Sequence, residues 1–200
     1  MTHWELPAAI LAVVLAYALG SIPSAVIAGR RAGVDIKEVG DGNMGARNVA
    51  RTVGAVPAVI VALCDVFKGA AAVLLARALS LSQGWVLAAA WAAVLGHDFP
   101  VFAHFRGGQG LATTLGMLLV LMPLEMSVAL SLFGALYLLT HNSDLGASIG
   151  LACGLYLAYR GGRSPVLLFH MVASLLAVPA KKLLDRHRRI AIQGHQSDLV

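Results

Sequence analysis

Charge is what this sequence has least of. Lys, Arg, Asp and Glu together make up 12% of its 200 residues, against 58% hydrophobic ones, whereas soluble domains carry about 25% charge. That shortage excludes an ordinary water-soluble globule and points to the bilayer as solvent. Cysteine is nearly absent too. Cys64 and Cys153 lie far apart inside apolar runs, without the CxxC or His-rich spacing of a metal site, so buried free thiols are expected and neither a disulfide framework nor a thiolate metal centre is. The sequence also lacks an internal repeat of the transporter kind and any low-complexity segment. Its net charge of +5 comes from basic residues in short segments between apolar runs. That pattern orients a membrane protein and gives no reason to invoke nucleic acid.

What is there is a series of apolar segments, drawn as seven at approximately residues 6–29, 54–79, 83–102, 111–124, 126–139, 145–159 and 164–180. The first is free of charge, and at about 1.5 Å per helical residue it matches the roughly 20 residues needed to cross a hydrocarbon core. It has no basic region before it and further apolar runs after it, so it reads as a retained span and not a signal peptide. The fourth, fifth and sixth are short for a crossing, which keeps five spans open beside seven. The expected fold is therefore an all-α integral membrane bundle, polytopic with about seven (five to seven) transmembrane helices. Residues 1–180 read as one membrane domain and 181–200 as a basic cytoplasmic tail.

Lysine and arginine set the orientation. With the N-terminus outside, eleven basic residues (Arg30, Arg31, Lys37, Arg47, Arg51, Arg106, Lys181, Lys182, Arg186, Arg188 and Arg189) share the cytoplasmic side and three (Arg77, Arg160 and Arg163) face out. This imbalance favours N-out, C-in. The three least apolar loops, 30–53, 104–110 and 140–144, then face the cytoplasm together with the tail.

Chemistry has two places to reside in those loops. In the first, Gly40, Gly42 and Gly45 let the backbone turn its N–H groups inward as an anion nest, with Arg47 and Arg51 one helical turn apart and Asn43 and Asn48 as neutral donors. The plain alternative is a flexible loop whose arginines enforce topology or touch anionic lipid. In the second, Gly107, Gly108 and Gly110 stand directly before an apolar helix, where free N–H groups and the helix dipole favour an anion, and Thr113 and Thr114 extend the donor set. The full P-loop spacing and its lysine are missing, so a nucleotide is not indicated; a tight turn between spans is the simpler reading. Asp65 and Lys68, at i and i+3 within the second apolar run, share one helix face and can pair, either in a functional site or as a packing lock. His97, beside Asp98, is positioned as a general base or phosphate donor, or as a polar helix cap. Glu125 and His170 read as structural.

In chain order, Gly20-Ser21-Ile22-Pro23, Gly42-Asn43-x-Gly45-x-x-Asn48-x-x-Arg51, Asp65-x-x-Lys68-Gly69, Gly96-His97-x-Phe99-Pro100 and Gly107-Gly108-x-Gly110-x-Ala112-Thr113 resemble the motifs of the bacterial acyl-phosphate-dependent glycerol-3-phosphate acyltransferases, the PlsY family. The likeness covers roughly residues 20–115. It implies a multi-pass enzyme of the bacterial inner membrane that moves a fatty acyl group from acyl phosphate to the sn-1 hydroxyl of glycerol 3-phosphate, giving lysophosphatidic acid. Acyl carrier protein and coenzyme A are not used directly, no metal or cofactor is implied, and a monomer is expected.

Residues and resemblance together mark His97, Asn43, Arg51 and Asp41 as candidate catalytic groups. Gly42, Gly45, Asn48, Lys68, Arg106, Gly107, Gly108, Gln109, Gly110, Thr113 and Ser148 are candidate binders of substrate phosphate. Four departures stand out. Asp41 replaces the usual serine before Gly42-Asn43, and Gln109 replaces the lysine of the second glycine loop. Ser148-Ile149 only faintly matches the third motif, and the C-terminal signature survives as His187-Arg188-Arg189 with Ile190 in the asparagine position. The first two remove favourable charge near a phosphate. A family member with a changed acceptor or lost activity, and a membrane protein that binds or transports a phosphorylated solute, are therefore the rival expectations. Acyl phosphate is already activated, so a covalent acyl-enzyme is unnecessary; the proton leaves through His97, Asp41 or the donor's own phosphate.

Overall fold

The computed structural model describes residues 4–185, apart from the side chains at 143 and 144. The basic residues from Arg186 on, and with them the His187-Arg188-Arg189 run and Ile190, lie outside the described residues. The described secondary structure is entirely helical: α1 (Glu5–Gly20), α2 (Ser24–Arg31), α3 (Ala46–Thr52), α4 (Ala55–Ala78), α5 (Gln83–Asp98), α6 (Leu111–Leu121), α7 (Pro123–Thr140), α8 (Ser143–Arg160) and α9 (Pro165–Leu184), with a short 3-10 turn at Val101–Ala103. Each of the seven apolar segments holds a helix. Among the described residues, five stretches are long and apolar enough to cross a membrane: Glu5–Arg31, Ala55–Ala78, Gln83–Ala103, Pro123–Thr140 and Pro165–Leu184. Helix α6, with 11 residues, is too short for that. The boundary expected at residue 180 falls inside α9, which carries Lys181 and Lys182 in its last turn.

The first apolar run is not one helix. It breaks at Ser21–Pro23 into α1 and α2, because Pro23 has no N–H to donate and its ring pushes Ile22 out of the helical region. Carbonyls near the break are left without helical partners, and at membrane depth they must find others.

The chain divides into two compact units, Met1–Met117 with Ala177–Val200, and Leu118–Leu176. In the first unit, glycines let helix backbones touch. A Cβ at Gly20 would collide with the Ala93 carbonyl of α5, and one at Gly96 with the Tyr17 carbonyl of α1; Gly69 and Gly116 stand in the same relation to Thr113 and Val66 across α4 and α6. Small residues at such crossings replace the hydrophobic drive that lipid does not supply. Around the first loop, Ala25, Val26, Ile36, Val49 and Val61 form a buried apolar cluster. In the second unit, Gly146, Gly150 and Gly154 form one stripe of α8 that packs on Phe133, Ala129 and Met126 of α7, and Glu125 meets Arg163 in a bidentate ion pair.

Candidate functional site

The break in the first apolar run places Ile22 and Ser24 against α4. Lys68 donates to the Ile22 carbonyl, to Ser24 Oγ at 3.1 Å and to Asp65 Oδ1 at 2.8 Å. Ser24 Oγ donates to the same Asp65 oxygen at 2.5 Å. Both charges are buried, a situation that is tolerable only because each is paired and hydrogen-bonded. The sequence singled out this i, i+3 pair, as part of a functional site or as a packing lock; it did not reveal Ser24, for which the Pro-containing helix break was the available signal.

Asp65 connects the pair to His97. Oδ1 of Asp65 lies 3.6 Å from His97 Nδ1, so the imidazole's other nitrogen, Nε2, points away from α4. It faces Gly108, where a Cβ would strike it. The Gly108 N–H donates to the His97 carbonyl at 3.1 Å, and Gly107 lies against the carbonyls of His97 and Asp98. The glycines here serve close approach, and Gly110 additionally takes the left-handed conformation at φ 70° that glycine adopts without strain. A small polar cleft results, lined by Gly20, Ile22, Pro23, Ser24, Met44, Lys68, His97, Pro100 and Gly108. Beyond Gly110, Thr113 and Thr114 at the start of α6 are buried and have hydroxyls without a partner among the described residues.

The first glycine loop is built around Asn48. Its side chain is fully buried; Nδ2 donates to the carbonyls of Ile36 at 3.1 Å and Val39 at 3.0 Å, and Oδ1 accepts from the Asp41 N–H at 3.2 Å. Asn48 is thereby spent on the loop's own backbone. Asp41 turns one oxygen onto the Asn43 N–H at 3.1 Å and the other toward Arg51 Nη1 at 3.9 Å. Gly45 abuts the Asn43 side chain, whose Oδ1 is buried and unpartnered among the described residues, and Met44 brings the loop to the cleft. The Gly42 N–H is used within the loop, donating to the Val39 carbonyl.

The remaining candidates are more scattered. Arg106 is exposed and lies 3.6 Å from Glu38 of the first loop. Gln109 sits between the glycines of the second loop, half-buried. Ser148 is exposed on α8 in the second unit. Lys68, His97, Gly108 and the first loop's Met44 thus meet at one cleft; Asn48 and Asp41 shape the loop beside it, and Ser148 belongs to the other unit.

An apolar groove of about 760 Å³ runs between α2 and α4, lined among others by Ile27, Pro57, Ile60, Cys64 and Phe67. It shares Ile22, Ser24 and Lys68 with the polar cleft.

Known proteins resemble this chain over most of its length. The family model described as glycerol-3-phosphate acyltransferase matches residues 10–190. A glycerol-3-phosphate acyltransferase of Thermus thermophilus is 45% identical over 156 residues, 78% of each chain. A second, from Moorella thermoacetica, is 40% identical over 169 residues, 84% of this chain and 87% of its relative. The crystal structure of PlsY, an integral membrane glycerol 3-phosphate acyltransferase, in its glycerol 3-phosphate form superposes with a TM-score of 0.79 at 28% identity, covering 92% of both chains. Its lysophosphatidic acid form gives 0.76 at 27%. With a family match across nearly the whole length, an all-helical multi-pass fold and solved neighbours of the same kind, this chain belongs to the glycerol-3-phosphate acyltransferase family of integral membrane acyltransferases.

Proposed function

We propose that this chain transfers a fatty acyl group from acyl phosphate to the sn-1 hydroxyl of glycerol 3-phosphate, producing lysophosphatidic acid and inorganic phosphate. The observation that carries this reading is the junction at Ser24 and Lys68 between the polar cleft and the apolar groove. An acyl phosphate has the same two-part character: its chain suits the groove and its phosphate suits the end where Lys68 and the N–H groups of the second glycine loop lie.

In the reaction, the acceptor hydroxyl attacks the acyl carbon, the new C–O ester bond forms, and the bond from that carbon to the phosphate oxygen breaks. Phosphate departs with the electron pair. Asp65 faces His97 Nδ1 and favours the tautomer with its proton there, leaving Nε2 free to take the hydroxyl proton; Asp41 and the departing phosphate are the other acceptors consistent with the chemistry. The charge that Asp41 brings to the first loop is offset by its Asn43 N–H bond and by Arg51. That compensation supports an active enzyme over a degenerate relative.

The proposal extends to setting. The lysine and arginine distribution supports an N-out, C-in orientation in a bacterial plasma membrane, with both glycine loops cytoplasmic, one catalytic membrane domain, a basic tail and a monomeric enzyme embedded in lipid. The deciding assay supplies purified protein in lipid with glycerol 3-phosphate and, separately, acyl phosphate or acyl-coenzyme A. Lysophosphatidic acid and stoichiometric phosphate from acyl phosphate alone are expected. Product from acyl-coenzyme A instead would overturn the donor, and binding without product from either would overturn the enzyme.

A further inference from the structure

The apolar groove between α2 and α4 is lined by two cations, Lys68 and Arg31, and both helices belong to the first unit. The two differ in state. Lys68 is buried and paired with Asp65 at 2.8 Å. Arg31, in the last turn of α2, is exposed, and its guanidinium has no ion-pair or hydrogen-bond partner among the described residues. The uncompensated charge of the groove is therefore Arg31. Its walls are apolar, and Ile27, Ile60, Leu63 and Phe67 are 42–65% exposed, so the groove is a furrow that opens sideways to the bilayer. Successive spans run in opposite senses, so the contact of Ser24 with Lys68 at one end puts Arg31 toward the Pro57 end. From Pro57 to Lys68 the furrow follows α4 for about 16 Å at 1.5 Å per residue. One leaflet contributes about 15 Å of hydrocarbon, half of a 30 Å core.

We propose that this furrow binds an anionic phospholipid of the bilayer, with its phosphate at Arg31 and one acyl chain laid along α4 toward Lys68, and that the bound lipid excludes acyl phosphate. A furrow one leaflet long, apolar along its walls and carrying one free cation, matches a lipid in shape and in charge. In the N-out orientation proposed above, Arg31 stands at headgroup level on the cytoplasmic side, where a basic residue attracts anionic lipid, and the chain runs parallel to those of its neighbours. The exclusion rests on the reading of this groove as the seat of the donor's fatty chain, because both chains use the same walls. Lysophosphatidic acid needs one further acylation to become an anionic phospholipid, so the site lets the accumulated lipid class slow the step that leads to it.

The test uses full-length protein in vesicles of phosphatidylcholine alone, or with phosphatidylglycerol as about one lipid in four. For binding, Phe67→Trp places a fluorophore on the furrow, read as the increment over protein without that substitution. Phosphatidylglycerol with brominated chains is expected to quench it more than brominated phosphatidylcholine at the same fraction. Arg31→Gln removes the difference and Arg31→Lys keeps it; Arg30→Gln, at the adjacent exposed arginine outside the furrow's lining, leaves it unchanged. For turnover, phosphatidylglycerol is expected to raise the Michaelis constant for acyl phosphate about fivefold, the effect of one basic residue on anionic lipid, with kcat and the constant for glycerol 3-phosphate unmoved. Arg31→Gln cancels that rise and Arg30→Gln retains it. Equal quenching by the two lipids, or the same response from Arg30→Gln and Arg31→Gln, overturns the lipid site and leaves acyl transfer from acyl phosphate standing. Arg31-dependent quenching with no change in the acyl phosphate constant overturns the exclusion, and with it the placement of the donor's chain in this groove.

Discussion

The Glu125–Arg163 pair of one compact unit and the Asp65–Lys68 pair of the other are built differently. Glu125 and Arg163 close on each other: Nε reaches Oε1 at 2.6 Å and Nη2 reaches Oε2 at 3.2 Å, so both carboxylate oxygens are engaged by one guanidinium. Asp65 and Lys68 instead share a single oxygen with Ser24, face His97, and send a further bond to the Ile22 carbonyl at the helix break. A bidentate pair satisfies itself and holds helices together. A pair with several partners is a node whose arrangement is transmitted to a cleft. Intramembrane charge is often read as functional by default; here the distribution of partners separates the site from the staple.

The largest effect that would sharpen this contrast is at Lys68. Lys68→Met strands the buried Asp65 carboxylate and releases Ser24 and the Ile22 carbonyl, so a loss of about 3–5 kcal/mol of stability is expected, together with loss of turnover. Thermal unfolding in detergent and product formation in lipid measure the two. The double variant Asp65→Asn, Lys68→Met removes the stranded charge and should recover folding without activity. Recovery of both would make this pair a staple like the other, and the contrast would collapse.

A smaller and purely structural effect is expected at the other pair. Arg163→Met should cost about 1.5–3 kcal/mol, the worth of hydrogen bonds to a charged group, and leave kcat/KM of the folded fraction unchanged. A specific fall in kcat at constant stability would assign the second unit a part in chemistry. The smallest effect lies at the surface of the first loop. Arg51 is mostly exposed, with 62% of its side chain accessible, so its interaction with Asp41 is screened and worth up to about 1 kcal/mol. Arg51→Ala should therefore raise the Michaelis constant for glycerol 3-phosphate by about fivefold at most, whereas Arg47→Ala should be silent. Asp41→Ser in the Arg51→Ala background should return the constant toward its starting value. Equal losses at Arg47 and Arg51 would indicate a diffuse basic surface in place of a specific pairing.

The sequence by itself determined what depends on composition and near neighbours. Its poverty in charge and its apolar runs dictate helices in a bilayer, because backbone polar groups there must be satisfied within the segment. Its ordered glycine, asparagine and histidine motifs located both loops and the family. Span continuity was less legible: the run at 6–29 reads as one helix by hydropathy, and Pro23 splits it. The partners of buried polar atoms were not legible at all. Ser24 reaches Asp65 across 41 positions, Asn48 saturates carbonyls at Ile36 and Val39, and Lys181 comes to rest on Phe99. Only the tertiary structure decided these, and with them which candidate faces the cleft and which merely builds its wall. The physical reason is range. Hydropathy and helical spacing act over one or two turns, whereas a desolvated charge or amide must find a partner wherever packing brings one.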